Sequence, residues 1–166
     1  CRANNQKLSG IIAIANKLLD TPYMDFHFNK SAKIIVASVS HNSLTDNINK
    51  WCRDNQIIFE QVISEKTKKQ VTSGYDQPNQ LGVDRWLSLI GAAETYPNKN
   101  ILIIDAGTAT TFDLLAESGQ HQGGWILAGV TTLISSVLAD TTKVHANNHE
   151  VESIAFGANT SENVHH

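Results

Sequence analysis

Ile101-Leu-Ile-Ile-Asp-Ala-Gly-Thr-Ala-Thr-Thr-Phe-Asp-Leu-Leu115 is the stretch on which the fold turns. Four apolar residues run into Asp105, a Gly-Thr-Ala-Thr turn follows, and a second β-branched and aromatic run passes through Asp113. That pattern predicts strand, tight turn, strand: a hairpin with a carboxylate at the end of its first arm. Gly107 lets the backbone come close to a ligand, and Thr108, Thr110 and Thr111 surround it with hydroxyls and N–H groups. Such a turn suits an anion, with Asp105 placed to hold a cation or a water network beside it. The same spacing also fits an ordinary hairpin whose aspartate caps a turn, because Gly-Thr pairs are common in turns.

Upstream, residues 33–40 form a continuous apolar run, as expected of a buried strand in a parallel or mixed sheet. Asn42 or Ser43 can cap the helix that follows, whose buried face carries Leu44, Ile48, Trp51 and Cys52. Residues 57–63 read as another strand. Strand, helix, strand implies a right-handed crossover and an α/β sheet. Before this unit, residues 7–19 have helical spacing, and Asp20-Thr-Pro22 is expected to end that helix. Residues 64–80 are a long polar connection carrying Tyr75, and connections of this length are often functional. A helix over 82–93 turns Trp86, Leu87, Leu89, Ile90 and Ala93 inward, and Tyr96-Pro-Asn-Lys-Asn100 breaks it. That breaker divides the chain into two lobes, 1–97 and 98–166. Downstream of the hairpin come a turn over 118–122 and a third strand over 124–127. Val130, Leu133, Ile134, Val137 and Leu138 then mark an amphipathic helix. An Asn- and His-rich loop over 141–150 and the first turn of another helix over 161–166 complete the chain.

A length of 166 residues suffices for one ordinary domain or two small lobes. A formal net charge of −3 and the lack of a long basic run argue against nucleic acid, and Lys66-Thr-Lys-Lys69 reads as a solvated loop. No apolar run is long enough for a membrane span and no secretory signal opens the chain, so a cytoplasmic protein is expected. Cys1 and Cys52 make neither a disulfide framework nor a metal motif, and Cys52 is expected to be a reduced core residue. His145 and His149 are spaced for a helical metal site but lack a third ligand.

Three motifs stand in order: Gly82-Val-Asp-Arg85, then Asp105-x-Gly-Thr-Ala-x-Thr-x-Asp113, then Gly123-Gly124-x-Ile-x-x-Gly129. In this order the chain resembles the type III pantothenate kinases, also called the Bvg accessory factor family. The resemblance runs from about Lys33 to the C-terminus. It implies an α/β fold of the actin-like ATPase (ribonuclease H-like) kind, with two βββαβα lobes. The implied activity is ATP-dependent phosphorylation of pantothenate to 4'-phosphopantothenate, the first step of coenzyme A biosynthesis.

The resemblance also assigns roles. Asp84 matches the proton acceptor. A primary alcohol attacking a γ-phosphate needs a base within reach, and the first turn of a helix favours a carboxylate. Tyr75, Gly82, Val83, Asp84 and Arg85 match the substrate segment, where an arginine or a helix N-terminus suits the pantothenate carboxylate. Thr160 matches a substrate-binding threonine, with a plain helix N-cap as the other reading. Thr108 matches the position that touches ATP, and Asp105 the one that holds a monovalent cation (K+ or NH4+). Magnesium (Mg2+) would travel largely with the ATP phosphates. A homodimer completing the pantothenate pocket is implied, with residues 129–140 and the Thr160 region as its surface.

The chain departs from the family at both ends. The opening phosphate loop, Asp-x-Gly-Asn-Thr, has no counterpart here, and the family continues past residue 166. The expected lobes are therefore incomplete at both ends, as in a fragment of a longer protein. Ala128 stands where the family usually has proline. Two other functions compete: a non-catalytic homologue acting as a regulatory or interaction protein, and a sugar-kinase-like enzyme with another alcohol substrate.

Overall fold

A computed structural model describes residues 16–39 and 42–140. The expectations resting on Cys1, on the beginning of the first helix, and on His145, His149, Thr160 and residues 161–166 lie outside the described residues.

Asp20-Thr-Pro22 separates two elements, and it also starts one. A single 3-10 turn, Asn16–Leu18, precedes it. Asp20 then caps helix α1 (Thr21–Phe28), its carboxylate accepting from the Tyr23 N–H at 3.0 Å. Pro22 sits in the first turn, where its missing N–H has no helical partner to lose. Strand β1 (Lys33–Val36), helix α2 (Asn42–Asp54) and strand β2 (Ile58–Gln61) form the expected unit. The strands pair in parallel, Lys33 opposite Ile58 through Val36 opposite Gln61. They are shorter than the apolar runs that predicted them, because pairing extends over four positions only. The helical stripe of Ile48, Trp51 and Cys52 buries against Met24 and Ile57. Trp51 Nε1 donates to Asp25 at 2.7 Å and ties α1 to α2.

The long polar connection is more ordered than its composition suggests. Strands β3 (Thr67–Lys68) and β4 (Val71–Thr72) make a small hairpin within it, and Pro78–Gln80 forms a 3-10 turn. Lys66 to Lys69 are exposed; Lys68 pairs with Glu65 and Lys69 with Glu94. Val71 is fully buried, so the hairpin is pinned by its second strand.

Helix α3 (Val83–Thr95) lies on a three-stranded antiparallel sheet of β5 (Ile101–Ala106), β6 (Ala109–Leu115) and β7 (His121–Ala128). Trp86, Leu89, Ile90 and Ala93 pack with Leu115 and Val71, and Ile101 and Ile103 close the edge. Strand alternation gives β5 an inner face of Ile101, Ile103 and Asp105, and β6 one of Thr111, Asp113 and Leu115. The outer face carries Leu102, Ile104, Leu114, Trp125 and Leu127, all exposed. Helix α4 (Val130–Asp140) leaves from the turn of the hairpin: the Gly129 N–H and the Thr132 hydroxyl both donate to the Thr108 carbonyl, each at 2.9 Å.

Candidate functional site

The hairpin places Asp105 and Asp113 on one face of the sheet. Asp105 stands opposite Thr111 and Asp113 opposite Ile103. The two carboxylates are thus diagonal neighbours on adjacent strands, about 7–8 Å apart in a regular ladder. Asp105 is exposed at the end of its strand, while Asp113 is 1% exposed. No hydrogen bond or ion pair engages the Asp105 side chain among the described residues.

A buried carboxylate needs partners, because desolvation without them costs several kcal/mol (roughly). Arg85 supplies two. Its Nε donates to Asp113 Oδ2 at 2.8 Å and its Nη2 to Asp113 Oδ1 at 2.6 Å. The remaining arm, Nη1, donates to the Tyr75 hydroxyl at 2.9 Å. The Asp113 carboxylate pushes the Arg85 guanidinium above its ordinary pKa, against the opposing pull of burial. His121 is the third partner, its Nε2 lying 2.8 Å from Asp113 Oδ1. Its Nδ1 accepts from the Gly74 N–H at 3.4 Å, so the ring proton sits on Nε2 and is donated to Asp113. The Tyr75 ring stacks over His121 with centroids 6.0 Å apart and planes 12° apart.

The double glycine of β7 makes this cluster possible, each residue for a different reason. From Asp113 to Leu115, β6 advances two residues while β7 runs from Gly124 back to His121, three residues. The extra residue is a bulge, and it turns His121 inward where regular alternation would have faced Gln122 inward. Gly123 takes the bulge's left-handed backbone, with φ of 106°. Gly124 lies against the ion pair itself. A Cβ there would overlap the Phe112 carbonyl oxygen and approach Arg85 Nη2 and Asp113 Oδ1 to 2.6 Å.

Gly82 caps α3, and the Trp86 N–H donates to its carbonyl at 2.9 Å. Asp84 follows in the first turn, exposed, with its Oδ1 accepting from the Arg85 N–H at 2.8 Å. Consecutive residues thus point opposite ways: Arg85 into the sheet and Asp84 out to solvent. Val83 is buried under the helix start. Of the expected site residues, Tyr75, Gly82, Val83, Asp84 and Arg85 come together at this helix N-terminus. Asp105 and Thr108 lie along the neighbouring hairpin, and Thr160 is outside the described residues. The Arg85 guanidinium is 6% exposed and already committed to Asp113 and Tyr75, so it acts here as an anchor and not as an open anion receptor. Asp113 was visible in the sequence only as the end of a motif, although a charged residue inside an apolar strand pattern is a signal of a buried partner. His121 gave no signal, because its inward direction depends on the bulge.

No group of three or more His, Cys, Asp or Glu side chains among the described residues is arranged to hold a metal by itself. No described helix is long and apolar enough to cross a membrane.

The described residues thus form a mixed α/β fold with one exposed carboxylate at a helix start and another beside a Gly-Thr turn. The profile of the type III pantothenate kinases matches residues 3–166, and the chain belongs to that family. A type III pantothenate kinase of Colwellia psychrerythraea is 48% identical over 158 residues, which are 95% of this chain and 64% of that protein. One of Pseudoalteromonas translucida is 38% identical over 127 residues, 76% of this chain and 54% of the relative. The chain therefore spans less than two thirds of the length of these relatives. A solved structure from Campylobacter jejuni, described as a conserved member of the Baf family of transcriptional activators, shares the fold. It aligns with a TM-score of 0.53 at 21% identity, covering 87% of this chain and 60% of that one.

Proposed function

We propose that the full-length protein containing this chain transfers the γ-phosphate of ATP to pantothenate, giving 4'-phosphopantothenate for coenzyme A synthesis. The observation that carries this reading is the start of α3. Arg85 anchors the helix into the sheet and donates to the Tyr75 hydroxyl, while Asp84, its neighbour, stays exposed in the first turn. Asp84 is the proton acceptor for the substrate hydroxyl. Its carboxylate stands in the first turn of α3 and is open to solvent, where a substrate hydroxyl can reach it. Tyr75, Gly82, Val83 and Arg85 shape the pantothenate end of the site, with Thr160 as a further contact.

Asp105 and Thr108 border the ATP phosphates. The Asp105 carboxylate and the threonine hydroxyls around it are hard oxygen donors, which suit a monovalent cation such as K+ or NH4+. Magnesium bound to the phosphates supplies neutralisation of the charge that develops in transfer. The chain's own part is to orient the alcohol, accept its proton at Asp84 and hold the hairpin turn against α4.

The same reading gives an actin-like arrangement of two lobes, 1–97 and 98–166. Helix α3 joins them: by chain order it closes the first, and by packing it covers the sheet of the second. A cytoplasmic homodimer completes the proposal, with α4 and the Thr160 region as its surface.

The test is direct. Full-length protein with Mg-ATP and pantothenate is expected to release ADP and form 4'-phosphopantothenate, read by a coupled assay and by mass. ATP binding without pantothenate-dependent turnover would support the regulatory reading instead. Turnover with sugars but not pantothenate would move the enzyme to another branch of alcohol kinases.

A further inference from the structure

Two members of the buried cluster have no role in the reading above. Asp113 and His121 are each 1% exposed, so neither meets a substrate. We propose that they are positioning residues which set the placement of Tyr75 and, through it, the affinity for the alcohol substrate. The inference rests on the kinase reading in taking Tyr75 to face pantothenate.

Tyr75 lies in a connection without regular structure, between β4 and the 3-10 turn at Pro78. Its backbone N–H donates to the Ser73 Oγ at 3.2 Å, and its side chain packs at the edge of the core that holds Leu81 and Trp86. Three further contacts, all from the cluster, set the direction of the ring. Its hydroxyl accepts from Arg85 Nη1, its ring stacks on His121, and the preceding Gly74 N–H donates to His121 Nδ1. The Arg85 guanidinium carbon lies 5.7 Å from the centroid of the Tyr75 ring. Arg85 and His121 are in turn both oriented by Asp113, whose Oδ1 accepts from each. One carboxylate therefore orients both side chains that set the direction of the ring.

A purely structural role would need less. Joining α3 to the sheet requires only the Arg85–Asp113 pair, and a buried ion pair adds little net stability over apolar residues of the same volume. A network whose donors and acceptors are all satisfied specifies one arrangement of its members. Here the extra members converge on a half-buried aromatic at the edge of the candidate site.

The test compares His121→Leu with His121→Gln in the full-length protein. Leucine removes both hydrogen bonds of the imidazole and its stack on Tyr75. Glutamine keeps an N–H able to reach Asp113. His121→Leu is expected to raise the KM for pantothenate about tenfold, within the roughly 10²-fold that a misplaced positioning group can cost. The kcat and the KM for ATP should stay within about twofold, since ground-state placement alone is disturbed. His121→Gln should recover most of the loss. Amide exchange at residues 74–77 should accelerate about tenfold in His121→Leu and stay unchanged in the middle of α3. An unchanged pantothenate KM, an equal rise in both KM values, or a glutamine variant as impaired as leucine would each overturn the proposal. If the wild-type protein does not phosphorylate pantothenate, the kinase reading fails separately. Exchange at residues 74–77 then decides, and its constancy in His121→Leu overturns the positioning role. Should His121→Leu not fold, His121→Asn, smaller and still polar, carries the same KM and exchange comparison.

Discussion

Arg85 and Asp113 are 28 residues apart and form a two-pronged ion pair inside the molecule, at 2.8 and 2.6 Å. The pair fastens the first turn of α3 to the middle of β6. Asp113→Ala would leave the buried guanidinium without its counter-charge, and we expect a loss of about 3–5 kcal/mol in urea unfolding. Replacing all three buried members at once, Arg85→Met, Asp113→Leu and His121→Leu, should cost much less, since no buried donor then faces a missing carboxylate. A triple variant as unstable as Asp113→Ala would show that packing, and not charge pairing, is what the site demands.

The two glycines of β7 should respond differently to the same substitution. Gly123→Ala places a side chain at φ of 106°, and a loss of at least ~1–2 kcal/mol is expected from the left-handed backbone alone. Gly124→Ala drives a methyl group into the Phe112 carbonyl and the Arg85–Asp113 pair. Its cost should reach or exceed the ~1–3 kcal/mol typical of overpacking. Chemical-shift changes at His121 in Gly124→Ala would report the disturbed ion pair. Their absence would mean that the backbone, and not the cluster, absorbs the strain.

Asp84→Asn tests the proposed base. Asparagine preserves size and the helix start but cannot take the hydroxyl proton. We expect kcat to fall ~10²–10⁴-fold with ATP binding retained, and the lower end is favoured where the transition state is loose. Near-normal kcat with an unchanged melting curve would remove Asp84 from the role.

Asp105→Asn should raise the KM for ATP and leave proton transfer intact. The same carboxylate predicts that activity of the full-length protein depends on the monovalent cation present. Equal rates in sodium and potassium would count against Asp105 as the cation position.

Cys52 offers a test of the first core. It is fully buried, and burial raises its thiol pKa, so thiolate is scarce at neutral pH. Iodoacetamide should label the Cys52 peptide slowly in the native protein and fast in urea, as read by mass spectrometry. Rapid native labelling would mean that α2 opens readily from β1 and β2.

Much of this structure is legible in the chain order. Local periodicity suffices for the β1–α2–β2 unit, for α3, and for the hairpin from Ile101 to Leu115, because each has a strong apolar repeat bounded by turn residues. The same holds for the Gly82-Val-Asp-Arg85 segment, where a helix start and an exposed carboxylate follow from neighbours in sequence. The β3–β4 hairpin inside the polar connection was missed, since two-residue strands have no periodicity to read. The helix beginning at Thr21 was missed because Pro22 reads equally well as a stop and as a first-turn residue.

The sequence by itself determined the order of most elements and the motifs along them, and those motifs placed the chain in its family. Tertiary structure alone decided that Arg85 turns away from solvent, that Asp113 receives it, and that a bulge at Gly123 brings His121 to the same carboxylate. The physical reason is range. Periodicity reports on the nearest turn or pleat, whereas a buried charge is settled by whichever partner the packing of distant elements carries within hydrogen-bonding distance.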